Sequence, residues 1–283
     1  MLWGVLKEAA ESWSAHKGSR QGAALAYYSV FSIGPLIVIA IAIAGFVFGR
    51  DAVAGQVAMS IKDLLGETGA KAIQAMLIDA SRPRAGLMAT LLGTGALLFA
   101  AIGVVVQLKD ALNTVWEAGQ TPGSGLWYYV RSYVLSFAGV LALGFLLLIS
   151  LLVTTALAAI GRYTAVYVDE WVLHLTNVIV SFAVITLLFA MMFKWLPDTP
   201  IDWFDVWLGA ILTTIFFEIG KFAIGFYIGK QGLESTYGAA ASIIVVLIWV
   251  YYSSQIILMG AEITRAFAGQ HGSRREINES PHQ

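Results

Sequence analysis

The sequence contains no cysteine, and this absence excludes disulfide bonds, thiolate metal sites and thiol nucleophiles. Charged residues are also scarce: they make up 12% of the 283 residues, whereas about 25% is typical of soluble domains. The formal net charge of −1 gives no basic field that would attract nucleic acid. The histidines and carboxylates show no metal-binding or catalytic spacing, so we predict no catalytic residue, no cofactor, no metal and no enzymatic activity.

Hydrophobic residues account for 58% of the chain and are concentrated in long runs with few charges. A run of about 20 apolar residues is long enough to cross a hydrocarbon core of about 30 Å as an α-helix. The sequence therefore predicts an all-α polytopic integral membrane protein with six transmembrane helices. These helices are expected at about residues 23–48, 86–107, 134–160, 171–195, 206–228 and 237–261.

The polar segments divide the chain into three parts. Residues 1–20 predict a cytoplasmic amphipathic helix along the membrane surface, and they lack the apolar core of a signal peptide. Residues 21–268 form the membrane domain, in which 50–85 predicts an extracytoplasmic loop with two short amphipathic helices on the outer side. Residues 269–283 predict a disordered cytoplasmic tail. Lys and Arg favour the inner segments slightly when the N-terminus is inside, so both termini are predicted to be cytoplasmic.

The first apolar run has a polar first half and a proline near its middle. Tyr27 and Ser32 are unusual in a membrane span, and Gly34-Pro35 removes one backbone donor of the helix. Such a break is tolerated where protein or a cavity satisfies the freed backbone groups. Two interpretations follow: a structural kink packed against other helices, or part of a gate or binding site.

Two spans carry an acid followed three residues later by a base. Glu218 and Lys221 lie near the middle of the fifth span, where an ionisable residue costs roughly 2.5–3.5 kcal/mol to insert. This pair is either a self-neutralising packing device or a substrate or proton site facing a cavity. Glu262 and Arg265 repeat the spacing at the inner end of the sixth span, where an interfacial ion pair is the simpler interpretation.

Polar residues in or beside the spans supply the candidates for a transport path. Gly34-Pro35 is expected near the depth of Glu218 and Lys221, so the first span is a candidate for the opposite wall of a cavity that contains them. The full set of transport-path candidates is Glu218, Lys221, Tyr27, Ser32, Pro35, Gln107, Asn177 and Glu262.

Four segments form a specific combination: ALAYYSVFSIGPL, QLKDALNTVWEA, KWLPDTPIDWFDVWLGAILTTIFFEIGKFAIGFYIGK and YGAAASIIVVLIWVYYSSQIILMGAEITRAF. This combination resembles the YihY/virulence factor BrkB family over nearly the whole chain. The positions that match the family pattern are Tyr27, Ser32, Pro35, Asn113, Trp116, Pro197, Gly209, Tyr237, Gly238, Trp249, Gly260 and Glu262.

The resemblance implies a multi-pass protein of the bacterial inner membrane. The family was once labelled ribonuclease BN, but this chain has neither a metal-ligand cluster nor a basic groove for RNA. Members have been linked to serum resistance and envelope lipid export, and some are proposed as ion/proton antiporters. The family supplies no catalytic residue to carry over.

The expected function is transport or translocation of a lipid or amphipathic envelope component. One alternative is a cation/proton antiporter that uses Glu218, and a second is a non-transporting membrane scaffold that docks an envelope partner through the outer helices. The expected partners are membrane lipids, with a second copy of the chain or an envelope protein as further candidates, and no nucleic acid.

Overall fold

The structure is a computed structural model that describes residues 2–49, 87–118, 170–231 and 241–273, together with isolated helical positions between 54 and 74. Every regular element within these ranges is helical, which confirms the predicted all-α class for the described part of the chain. The continuous helices are α1 (Leu2–Ala15), α2 (Gly18–Phe48), α3 (Leu87–Val115), α4 (Glu170–Trp195), α5 (Trp203–Gln231) and α6 (Ala241–Gln270).

Three of the described helices are long and apolar enough to cross a membrane. The qualifying segments are Val178–Trp195 in α4, Trp203–Ile224 in α5 and Ile243–Gln270 in α6. Helices α2 and α3 cover the predicted first and second spans. The predicted third span, 134–160, lies outside the described residues, so the total of six spans stays a prediction.

The N-terminal segment consists of a helix and a corner. The first helix ends at Ala15, and α2 already begins at Gly18, so the turn lies at His16 and Lys17. Lys17 has a φ of 57°, a left-handed conformation that separates the two helices. From this corner α2 continues without interruption through Gly34 and Pro35 to Phe48.

The central helix of the described structure is α6, which packs against each of the other five continuous helices. One buried cluster forms where α3, α4, α5 and α6 meet, and its largest side chains include Leu112, Trp116, Phe193 and Leu258. A second cluster surrounds Trp249 of α6. It brings α2 and α5 onto the same α6 side chains. A third cluster seats Val5 and Ala9 of α1 on Ile263 and Ala266 of α6.

The α5–α6 interface is close because each helix presents a glycine and a threonine one turn apart. A methyl group added at Gly209 would lie 1.9 Å from Thr264 Oγ1 and 2.5 Å from the Gly260 carbonyl oxygen. One added at Gly260 would lie 1.8 Å from Thr213 Oγ1. The Thr213 and Thr264 hydroxyls donate hydrogen bonds to the carbonyls of Gly209 and Gly260 in their own helices, at 2.6 and 2.8 Å. Small residues therefore set the separation of these two spans.

The connection from α4 to α5 is short and held by polar contacts. Pro197 and Pro200 cannot continue a helix, so α4 ends at Trp195 and the chain extends to Asp202. The Lys194 ammonium group donates a hydrogen bond to the Ile201 carbonyl and so satisfies a backbone acceptor of the connection.

Candidate functional site

The mid-span pair on α5 forms an ion pair within one helix. Lys221 Nζ lies 2.7 Å from Glu218 Oε2, and the two side chains are 39% and 37% exposed. The three-residue spacing places both groups on one helix face. The pair is therefore formed within one helix, and the choice between a packing device and a substrate or proton site stays a prediction.

An exposed apolar stripe surrounds this pair along α5. Ile219 is 58% exposed, Phe222 is 80% exposed and Phe226 is 58% exposed, while Ile211 and Ile215 continue the stripe toward the start of the helix. The other faces of α5 pack on α4 and α6. The outward face of α5 thus combines a long hydrocarbon surface with one opposite-charge pair at its middle.

The remaining candidates lie on α2, α3 and α4. Tyr27 is exposed, and its ring lies edge-on to the rings of Tyr28 and Phe31. Ser32 is buried and donates a 2.8 Å hydrogen bond to the Tyr28 carbonyl. Gln107 lies half-buried on α3.

For two further candidates the structure describes the backbone but not the side chain. Pro35 is within α2, and Asn177 is within α4. The major helix contacts of the described residues place α2 on α3 and α6, and α5 on α4 and α6, so α2 and α5 meet through α6. The idea that α2 forms a cavity wall opposite Glu218 stays a prediction.

Glu262 has the most buried carboxylate among the candidates, with 1% of its side chain exposed. Its Oε1 atom lies 2.7 Å from Nδ1 of His16, which stands at the corner between α1 and α2. Its Oε2 atom is buried and has no hydrogen-bond partner within the described structure. The Arg265 Nη1 atom, on the same helix, is 4.0 Å from Oε2, beyond hydrogen-bond reach.

Arg265 pairs instead with Glu117, just past the end of α3. The Arg265 Nη2 atom lies 2.5 Å from Glu117 Oε1, and the same oxygen lies 3.4 Å from Nε2 of His16. Partial burial acts to raise the pKa of the Glu117 carboxyl, but the Arg265 guanidinium and the His16 ring together act in the opposite direction, so its pKa lies below the usual value. The two acids and two bases link the α1–α2 corner, α3 and α6.

A second polar junction ties α3 to the α4–α5 connection. Lys109 is buried, and its Nζ lies 2.7 Å from Asp198 Oδ1. Asn113, one turn further along α3, donates to Asp198 Oδ2 at 2.9 Å and accepts from the Asp198 amide at 2.8 Å. Three hydrogen bonds or ion pairs thus fix one carboxylate and its backbone.

Asp205 in the first turn of α5 holds the residues that follow α6. Its side chain is buried and accepts a 2.6 Å hydrogen bond from the Ser273 hydroxyl. Gly272 approaches closely enough that a methyl group there would lie 2.0 Å from Asp205 Oδ1. The part of the predicted tail that the structure describes, up to residue 273, is therefore packed on α5, and the rest lies outside the description.

Sequence reasoning found the pairs within a helix but missed the partners from other elements. His16 is one of four histidines in the sequence and belongs to no motif, and its contact with Glu262 spans 246 residues of sequence. Asn113 matched the family pattern, but no local spacing connects it with Asp198. Within the described part of the chain, no group of three or more His, Asp or Glu side chains could hold a metal ion.

Comparison with known proteins gives a consistent result. The chain is 28% identical over 264 residues to a UPF0761 membrane protein of Alcanivorax borkumensis, covering 92% of the chain and 59% of that protein. It is 26% identical over 250 residues to UPF0761 membrane protein Smlt0865 of Stenotrophomonas maltophilia, covering 87% of the chain and 56% of that protein. The chain thus spans somewhat more than half the length of these relatives. No solved structure matches it.

The family description agrees with the motifs and with the apolar helices. The sequence model described as Virulence factor BrkB matches residues 9–283, which include both residue pairs and the two polar junctions at the ends of the helices. The chain is a membrane protein and belongs to the virulence factor BrkB family.

Proposed function

We propose that the protein translocates a lipid or another amphipathic envelope component across the bacterial inner membrane, without enzymatic chemistry, and with both termini in the cytoplasm. The observation that carries this proposal is the outward face of α5. There, the Glu218–Lys221 ion pair lies between exposed apolar side chains such as Ile219 and Phe222.

The chemistry of that face suits an amphipathic molecule. Acyl chains are compatible with the exposed isoleucine and phenylalanine side chains, whereas a polar head group requires charged partners within the bilayer. Ionisable residues inside a span are costly to insert, and substrate and ion pathways are among the sites that they mark. The acyl chains of the lipid therefore contact the exposed apolar side chains of α5, and its head group interacts with the charges of Glu218 and Lys221.

A proteoliposome assay with fluorescent phospholipid tests this function. Replacement of one charge by Glu218→Gln or Lys221→Gln is expected to slow translocation by about tenfold or more, a barrier change of about 1.4 kcal/mol per factor of ten. The matched control is Glu11→Gln, which removes one charge from the exposed Lys7–Glu11 pair on α1 and is expected to leave the rate unchanged.

The charge-exchanged double variant, Glu218→Lys with Lys221→Glu, separates a pathway from a packing role. It preserves the ion pair, so full translocation in this variant and loss in the single variants would indicate that only helix packing needs the pair. Wild-type rates in both single variants would contradict the proposal. Sodium-driven proton flux without lipid movement would favour the antiporter, and the absence of both activities would favour the scaffold.

A further inference from the structure

The carboxylate of Glu262 and the ring of His16 form a site whose charges do not balance without an added proton. Two carboxylates, Glu262 and Glu117, meet one permanent cation, Arg265, and one imidazole. If the imidazole is neutral and both acids are ionised, the group carries one net negative charge. One additional proton makes the group neutral. A buried charge without compensation is strongly unfavourable, so the proton stabilises this arrangement.

Hydrogen-bond geometry leads to the same conclusion independently of the charge balance. Nδ1 of His16 is 2.7 Å from a Glu262 oxygen, and Nε2 is 3.4 Å from a Glu117 oxygen. A neutral imidazole has one N–H donor, so one of its nitrogens would direct a lone pair at a carboxylate. Both contacts are favourable only when an extra proton resides on the ring or on the acid that faces it.

The position of His16 connects this proton with a larger element. The residue stands at the corner that joins α1 to α2, and its ring is 16% exposed. Immediately before it, α1 packs on α6 through Val5 and Ala9, both buried against Ile263 and Ala266. The hydrogen bond from His16 and the apolar contacts of α1 therefore hold one element to α6.

We propose that His16 and Glu262 bind one exchangeable proton, and that this proton keeps the α1–α2 corner docked on α6. When the proton is lost, the neutral ring can donate to only one of the two carboxylates and the group carries one uncompensated negative charge, so the contact of α1 with α6 weakens. This proton site is independent of what the protein translocates.

Other charged groups surround the site and must be considered in any pH response. Those on neighbouring elements are Lys7, Glu8 and Glu11 on α1, Lys17 and Arg20 around the start of α2, Lys109 and Asp110 on α3, Asp205 on α5, and His271 after α6. Several have their own partners: Lys7 pairs with Glu11, Lys109 with Asp198, and Glu8 accepts a hydrogen bond from Gln270. Among the residues that the structure describes, Glu117 and Arg265 lie within ion-pair distance of His16 or Glu262.

The absence of cysteine makes a direct test simple. A single cysteine at Ala9, on the α1 face buried against α6, reports release of α1 through its rate of maleimide labelling in the purified full-length protein in detergent. A cysteine at the neighbouring exposed Ala10 corrects for the intrinsic effect of pH on thiol reactivity. The measured quantity is the ratio of the two labelling rates.

We expect this ratio to rise by about tenfold from about pH 5 to about pH 8, because loss of the shared proton leaves the group with one net negative charge. In a Glu262→Gln background the ratio is expected to stay low at every pH, because the amide oxygen accepts from a neutral His16 and carries no charge. In a His16→Ala background it is expected to be high at every pH.

A ratio that does not change with pH in the parent protein would overturn the proposal, and so would a pH response that survives His16→Ala. Glu262→Gln is nearly isosteric, so it keeps the test decisive if His16→Ala reduces the yield of folded protein. A pH response that persists unchanged in Glu262→Gln would also assign the proton to other groups.

Discussion

Two regions of this molecule carry the same local pattern, an acid followed three residues later by a base, and use it differently. In α5 the two residues pair with each other at 2.7 Å and remain more than a third exposed. In α6 the two residues are separated by 4.0 Å, and each finds a partner on another element: Glu262 meets His16, and Arg265 meets Glu117. An acid and a base three residues apart on one helix therefore pair with each other only when no oppositely charged or hydrogen-bonding group from another element lies closer.

The α5 pair is thus an ion pair within one helix, whereas the α6 residues form contacts between elements. Within the described residues, the α5 pair joins two positions on one turn of its own helix and links no second element. The α6 pair connects the α1–α2 corner, α3 and α6, so its charges hold elements together. Variants in either region, and in the helix contact that supports them, test this contrast.

The largest effect is expected at the contact that positions α5 beside α6. The Gly209→Ala variant should lose about 3 kcal/mol of stability, because the added methyl group meets the Gly260 carbonyl oxygen at 2.5 Å and the backbones must separate. The matched control is Gly95→Ala on α3, where nothing lies within 4 Å of the added group. Unfolding midpoints in detergent measure both, and equal midpoints would show that the α5–α6 separation is not fixed at Gly209.

The next largest loss of stability is expected at Glu262, the buried carboxylate of α6. Glu262→Leu should lower stability by about 2–3 kcal/mol, since it removes the acceptor of His16 at a site with 1% exposure. Glu262→Gln should lose much less, because an amide oxygen still accepts from the ring. Unfolding midpoints near neutral pH distinguish the two variants, and equal loss in both would indicate that the ionised carboxylate itself is required there.

Double-mutant cycles compare the two regions directly. The His16–Glu262 pair is expected to give a coupling energy of about 2 kcal/mol, and Glu218–Lys221 about 1 kcal/mol, because the latter is more exposed. The Glu262–Arg265 pair, separated by 4.0 Å, should give less than about 0.5 kcal/mol. A larger coupling for Glu262–Arg265 than for His16–Glu262 would reverse the assignment of partners.

The smallest effect is the acid sensitivity of the Glu117–Arg265 pair. The folded-state pKa of Glu117 is lowered, so its folded carboxyl binds a proton less readily than the unfolded one. The stabilisation is therefore present above the unfolded pKa and is lost as the pH falls through the folded pKa. Because Glu117 is 62% exposed, the contribution stays well under about 1 kcal/mol.

The matching measurement follows the unfolding midpoint of the parent and of Glu117→Gln from about pH 7 down to about pH 3.5, a range that brackets the ordinary titration of glutamate. The midpoints are expected to differ slightly near neutral pH and to converge in acid. A gap that widens on acidification would contradict the sign given for Glu117.

The helices themselves were predictable because their signal is local. Long apolar runs with few charges specify α2, α4, α5 and α6 directly, since lipid requires each span to satisfy its own backbone hydrogen bonds. The Glu218–Lys221 pair was predictable for the same reason: helix geometry alone places residues three apart on one face. The boundaries were less accurate at the N-terminus, where the corner at Lys17 divides a segment that the apolar spacing had joined.

The partners of Glu262 and Asp198 could not be predicted because they arise from tertiary packing. No periodicity relates His16 to a residue 246 positions later, and none relates Asn113 to Asp198. A single sequence shows which side chains need partners, such as a glutamate near the end of a span. It does not show which helix end comes close enough to supply them.

Because α6 packs on each of the other continuous helices, the number of residues between its contact positions determines whether all these contacts can form together. Trp249 meets α2 and α5, Gly260 meets α5, and Glu262 meets the α1–α2 corner. One inserted residue between Trp249 and Gly260 would rotate every later side chain by about 100° and shift it by about 1.5 Å. The spacing of contact residues along α6 therefore fixes where the other helices can pack. Insertions and deletions are expected to be tolerated far better in the connections than in α6.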